Sequence, residues 1–74
     1  SAFKQKQFIL HYLDEFDEID NKTARNILNL PDDDIFYMSR LLRQLRDENK
    51  IVKIRNEKGT TFYGKPKGAG NEKN

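Results

Sequence analysis

Arg40, Arg43 and Gln44 fall within five residues, in a segment whose apolar positions repeat at helical spacing. At about 100° per residue they lie broadly on the side away from the apolar stripe, together with Phe36, Tyr37 and Asp47. Such a face can read nucleic-acid bases. A guanidinium pairs with guanine at two points and a carboxamide with adenine at two, each pair worth about 1–3 kcal/mol of discrimination. Arg40, Arg43 and Gln44 would also suit a face that only meets water, and both roles stand. Arg46 lies partly round toward the acidic end of the first helix, where an intramolecular ion pair competes with a phosphate contact. Tyr37 and Phe36 could stack on bases, meet a protein or tuck against the following strands, and partial burial is the expectation for Phe36. Beyond the helix, Lys53 and Arg55 sit on a strand-like run and Lys58 in the tip that follows it. Each could displace a counterion from a phosphate, and edge-strand cations also serve to block aggregation.

Other chemistries are poorly supplied. His11 is the sole histidine and the chain has no cysteine, so a metal site lacks donors and a disulfide framework is excluded; His11 reads as a surface or boundary residue. Asp14, Glu15, Asp17 and Glu18 form a charge run on a helix, and a hydrolytic carboxylate pair would need a cleft that so small a domain cannot build. The expectation is a protein that is not an enzyme and has no cofactor or metal. No apolar run approaches the roughly 20 residues of a membrane span, and an intracellular, cytoplasmic setting is the default expectation.

The elements that must position these groups follow from the spacing of apolar residues. Over residues 4–19, Phe8, Ile9, Tyr12, Leu13, Phe16 and Ile19 recur at threes and fours, predicting a first helix of about four turns. Its acids cluster in the C-terminal half, where they oppose the helix dipole and would repel phosphate, so that half is expected to face away from nucleic acid. Asp20 and Asn21 are good capping residues for a short second helix carrying Ala24, Ile27 and Leu28 and ending near Leu30-Pro31. Asp32, Asp33 and Asp34 are expected to supply an N-cap and first-turn acids for a third helix over about residues 33–49, with Ile35, Met38, Leu41, Leu42 and Leu45 turned to the core. The break between the second and third helices is short enough for a helix-turn-helix. Residues 51–55 then alternate, Val52 and Ile54 pointing one way and Lys53 and Arg55 the other, as a half-buried strand does. Asn56-Glu57-Lys58-Gly59 makes a tip with Gly59 free to take positive φ, and residues 60–63 return.

Seventy-four residues make one domain, burying about 60% of the unfolded surface around a single layer of three helices. The formal net charge of +2 conceals an asymmetry. Residues 1–34 hold four cations against eight acids, and residues 35–74 hold ten cations against four. Positive charge therefore gathers where the third helix and hairpin could meet a polyanion. The chain lacks an initiator Met and is read as a domain cut from a longer protein, with Ser1-Ala2 a possible cloning remnant and residues 65–74 a flexible tail or linker.

Taken together, the span 21–63 resembles the winged helix-turn-helix superfamily, in particular the small modules attached to helicase-like, Fic-like and restriction-associated proteins. The matching pieces are the short second helix Thr23-Ala24-Arg25-Asn26-Ile27-Leu28-Asn29-Leu30, the run Ser39-Arg40-Leu41-Leu42-Arg43-Gln44-Leu45, the step Asn49-Lys50-Ile51-Val52, and Gly59-Thr60-Thr61-Phe62-Tyr63. The first helix fits as well, so the resemblance covers about 60 of the 74 residues. It implies an α+β fold over residues 1–64, a three-helix bundle with a C-terminal β-hairpin wing. It also implies a DNA-binding domain of a larger protein, monomeric in isolation, engaged with double-stranded DNA and with transcription regulation. In such modules the third helix enters the major groove and the wing touches the backbone or minor groove. By position this implicates Tyr37, Arg40, Arg43 and Gln44, with Lys53, Arg55 and Lys58 from the wing. Winged helices are also reused for protein interaction or dimerisation without DNA contact, and the acidic triplet with Phe36 and Tyr37 would suit a protein partner.

Overall fold

Residues 1–67 are described by the computed structural model. Three helices precede an antiparallel hairpin: α1 (Ala2–Glu15), α2 (Asn21–Ile27), a 3-10 turn (Asp32–Asp34) running into α3 (Ile35–Asp47), then β1 (Val52–Glu57) and β2 (Thr60–Gly64). The class is α+β, as expected. The tail expected from residue 65 lies outside the described residues from residue 68 on; before that, Lys65 pairs with Asp14 of α1.

Ser1 opens α1, its hydroxyl accepting the Lys4 N–H at 3.3 Å. The helix ends a turn earlier than its apolar spacing predicts. Phe16 is already extended, and Ile19 leaves the helix to exchange two backbone hydrogen bonds with Tyr63, at 2.8 and 2.9 Å. Two forces favour this ending: acids crowd the negative pole of the helix, and a β-branched residue gains backbone partners in a strand-like bridge. The buried stripe of α1 consequently runs through Ile9 and Leu13, while Phe8 and Phe16, predicted to share it, are more than half exposed.

The Asp20 carboxylate caps α2 by accepting the Thr23 N–H at 3.0 Å. At the other end Asn29 takes a left-handed φ of 58°, and the Leu30 N–H returns to the Arg25 carbonyl at 2.8 Å. Contrary to expectation, none of the three aspartates that follow caps α3 with its side chain; they form the 3-10 turn themselves. Met38, Leu41, Leu42 and Leu45 of α3 are buried as predicted. Ile35 is not: it sits in the first turn, 41% exposed, at the edge of the region its helix covers. Asn49, again left-handed, ends α3, and Ile51 plugs the core directly after it.

The hairpin departs furthest from its sequence pattern. Lys53 opposes Tyr63 and Arg55 opposes Phe62, leaving Ile54 as the extra residue of a β-bulge. The bulge breaks the expected alternation, so that Val52 and Ile54 are both partly exposed rather than buried. The reversal is made by Lys58 and Gly59 alone, with φ of 52° and 86°, the signs a two-residue primed turn demands. Gly64 is fixed for another reason: a Cβ there would come within 2.5 Å of Ile54 Cδ1 and 2.9 Å of the Asp17 carbonyl oxygen. Ile54 can swing aside, but the Asp17 backbone cannot without disturbing the bridge at Ile19. Gly64→Ala should therefore destabilise the domain by about 1–3 kcal/mol in urea unfolding, and an unchanged midpoint would show that the loop 16–18 yields freely.

Candidate nucleic-acid interface

The start of α3 is held to α2 by a chain of side-chain hydrogen bonds. The Asn21 amide donates to the Ile35 carbonyl at 2.9 Å and to the Ser39 hydroxyl at 3.0 Å, while its oxygen accepts from Arg25 Nε at 2.6 Å. Arg25, only 6% exposed, donates onward from Nη1 to Asp32 at 2.8 Å. A buried guanidinium is tolerated because its fork is engaged at both ends. Polar residues on the inner side of a two-turn helix thus fix the pose of α3. Sequence reasoning missed them; the four-residue spacing of Asn21 and Arg25 was the available signal.

With α3 so placed, Phe36, Arg40, Arg43 and Gln44 are exposed along its outer side. Arg43 also borders an open groove of about 390 Å³ between α2, α3 and the hairpin tip, where Lys22, Ser39, Thr60 and Thr61 join it. Lys22 and the two threonines were not among the expected site residues. Lys53 and Lys58 are exposed on the hairpin. Among the described residues, none of Lys22, Arg40, Arg43, Lys53 and Lys58 has a carboxylate within ion-pair distance; Lys4, Lys50 and Lys67 are likewise unpaired.

Two of the expected residues are engaged elsewhere. Tyr37 turns inward, half-buried against the core, and its hydroxyl donates to the Gln5 side chain of α1. Arg55 grips both oxygens of Glu18 from Nη1 and Nη2, reaches Glu57 from Nε at 2.9 Å, and stacks 4.1 Å from the centre of the Phe62 ring. Two other expectations need correction. Phe36, expected to be partly buried, is 75% exposed, because the groove toward the hairpin tip is bordered by Ile35, Ser39, Leu42 and Arg43, one step round the helix. Arg46 pairs with its neighbour Asp47 at 3.3 Å instead of the acidic end of α1. The C-terminal end of α3 abuts the opposite half of α1, where Lys6 meets Glu48 at 2.9 Å.

No family model matches the chain, and neither curated proteins nor solved structures yield a match. No helix among the described residues is long and apolar enough to cross a membrane.

The Arg55 grip has an acid-side signature. Hydrogen bonding from Arg55 holds the Glu18 carboxyl below its ordinary value of 4.5, outweighing partial desolvation and the neighbouring Asp20 charge. A depressed folded value means that the stabilisation is present above pH 4.5 and is lost as pH falls through the lowered value. Glu18→Gln should be less stable than the parent near pH 6, with the gap closing as pH falls below 4.5 and through the lowered value. Urea midpoints across that range check this, and a gap independent of pH would remove the ion pair as its cause.

Proposed function

We propose that this chain is a winged helix-turn-helix module that binds duplex DNA, with α3 in the major groove and the β-hairpin as a wing on the sugar–phosphate backbone. The observation that carries this reading is the sorting of the cations. In a chain with twelve acids, Lys6, Arg25, Arg46, Arg55 and Lys65 find carboxylates. Among the described residues, Arg40 and Arg43 on the outer side of α3 do not, nor do Lys22 beside Arg43 or Lys53 and Lys58 on the hairpin, and Lys4, Lys50 and Lys67 are unpaired as well. Cations left without internal partners on one helix side and an adjacent hairpin suit a ligand that brings its own negative charge.

In this reading Arg40, Arg43 and Gln44 approach base edges, while Lys22, Lys53, Lys58 and the hydroxyls of Thr60 and Thr61 take phosphates. Arg55 acts as a positioning residue that holds the wing against the α1–α2 connection, and Tyr37 sets the roll of α3 from within. The module is non-catalytic, serving a larger protein in recruitment or transcription regulation.

Anisotropy titration of a mixed-sequence duplex of about 15 base pairs at several salt concentrations tests it. Arg40→Ala with Arg43→Ala should weaken binding at least about tenfold. Lys53→Ala with Lys58→Ala should flatten the plot of log affinity against log salt by about 0.9 for each phosphate the wing no longer neutralises. Unchanged affinity and slope would refute this docking mode.

A second reading is favoured by the aromatic exposure of α1 and its C-cap, where Phe3 is 68%, Phe8 56% and Phe16 55% exposed. Apolar surface of that kind suits a protein contact. If it is the working surface, sedimentation or partner capture should depend on Phe8 and be indifferent to Arg40 and Arg43.

A further inference from the structure

Phe36 is the most exposed large apolar side chain among the described residues, at 75%, and it stands one helical turn before Arg40 on the outer side of α3. Nothing in the fold uses its ring: it lies outside the core and its packed fringe, whereas the neighbouring Tyr37 belongs to that fringe. On the premise that the chain binds DNA as proposed, we infer that Phe36 is a specificity-determining residue that contacts the C5-methyl group of a pyrimidine in the major groove.

Charge is unevenly distributed along α3. Its N-terminal approach carries Asp32, Asp33 and Asp34, of which Asp32 is tied to Arg25, and its cations begin only at Arg40. Carboxylates are repelled by phosphate, so the N-terminal end of α3 must stay off the backbone and meet the duplex at base edges, while the arginine-bearing half lies near phosphates and guanines. In the major groove the thymine C5-methyl is the apolar group that protrudes among the polar donors and acceptors of the base edges, and apolar side chains including Phe contact it. For an exposed phenyl ring at the end that avoids phosphate, a pyrimidine C5-methyl is the matched ligand on an intact, stacked duplex. Four residues of helix separate Phe36 from Arg40 by about 6 Å along the axis, close to two base-pair steps of about 3.4 Å. The preferred site should accordingly hold a methylated pyrimidine about two steps from a guanine.

The methyl could belong to thymine or to 5-methylcytosine, and the chemistry of contact is the same. The test begins by selecting bound sequences from a duplex pool with a randomised core. The enriched duplex is then made with thymine or deoxyuridine, and separately with cytosine or 5-methylcytosine. Replacing thymine by deoxyuridine removes only the methyl. The parent protein should bind the deoxyuridine duplex about fourfold more weakly, the ratio for one buried methyl group of ~0.8 kcal/mol. A gain on methylating cytosine, in place of that loss, would assign the methyl to 5-methylcytosine. Phe36→Ala should bind both duplexes of a pair alike, with an unchanged salt slope and thermal midpoint, since its side chain supports neither phosphate contact nor core. Phe36→Leu, which keeps an apolar tip, should recover part of the discrimination. Equal parent binding to both duplexes of each pair, with Arg40 and Arg43 still required, would overturn the role of Phe36 and leave the DNA-binding reading intact. No binding of any duplex at low salt would instead refute the DNA-binding reading on which this inference rests.

Discussion

The pair of backbone hydrogen bonds between Ile19 and Tyr63 is the constraint on which the remaining geometry depends. A two-stranded hairpin is marginal by itself, and its placement against a helical layer must come from somewhere else. Here it comes from three consecutive residues in the connection between α1 and α2. Glu18 clasps Arg55 of β1, Ile19 bridges to β2, and Asp20 caps α2. Because the same short segment that starts α2 also holds the hairpin, the distance between Lys22 and the hairpin-tip threonines is set locally. The groove beside Arg43 is the space left between two elements fastened at one point.

The opposite wall of that groove is set by a different kind of interaction. Asn21 and Arg25 present polar atoms toward the α2–α3 junction, where a typical small core would place aliphatic carbons. Directional bonds fix a helix in rotation as well as in distance, which a slippery apolar contact between short helices does less well. Arg25 is buried, yet its partner Asp32 is fully exposed, so the charge pair is solvated from one side and escapes the full desolvation that an enclosed pair would suffer. Apolar packing of Met38, Leu41, Leu42 and Leu45 supplies most of the driving force, and the polar strap decides which residues of α3 look outward.

Helix order, the buried stripe of α3 from Met38 to Leu45, the Asp20 cap and the presence of the hairpin are all legible in the sequence, because each has a local or periodic cause. What escaped has a tertiary cause. In α1 the series Phe8, Tyr12, Phe16 and the series Ile9, Leu13 are both spaced by four, and periodicity alone cannot say which one the other helices will cover. The bulge at Ile54 leaves no periodic trace, since a single inserted residue shifts the phase of a strand without changing its composition. Among the candidate site residues, the outward exposure of Arg40, Arg43 and Gln44 is readable from the helical wheel. Arg55 was not separable from Lys53, because whether a strand cation finds a carboxylate depends on a loop thirty-seven residues away in the chain. Angle alone puts Tyr37 on the outer side, whereas its hydroxyl finds Gln5 on α1.

Those last contacts give α1 and α3 a mechanical relation. Gln5 and Lys6 are adjacent on α1, yet their partners Tyr37 and Glu48 stand at nearly opposite ends of α3, about 16 Å apart along the helix axis. Two grips that are close together on one rod and far apart on the other behave as a bracket, and a roll of α1 about its own axis would drag or break both contacts. The two contacts thus fix the orientation of the third helix relative to the first at two separated points.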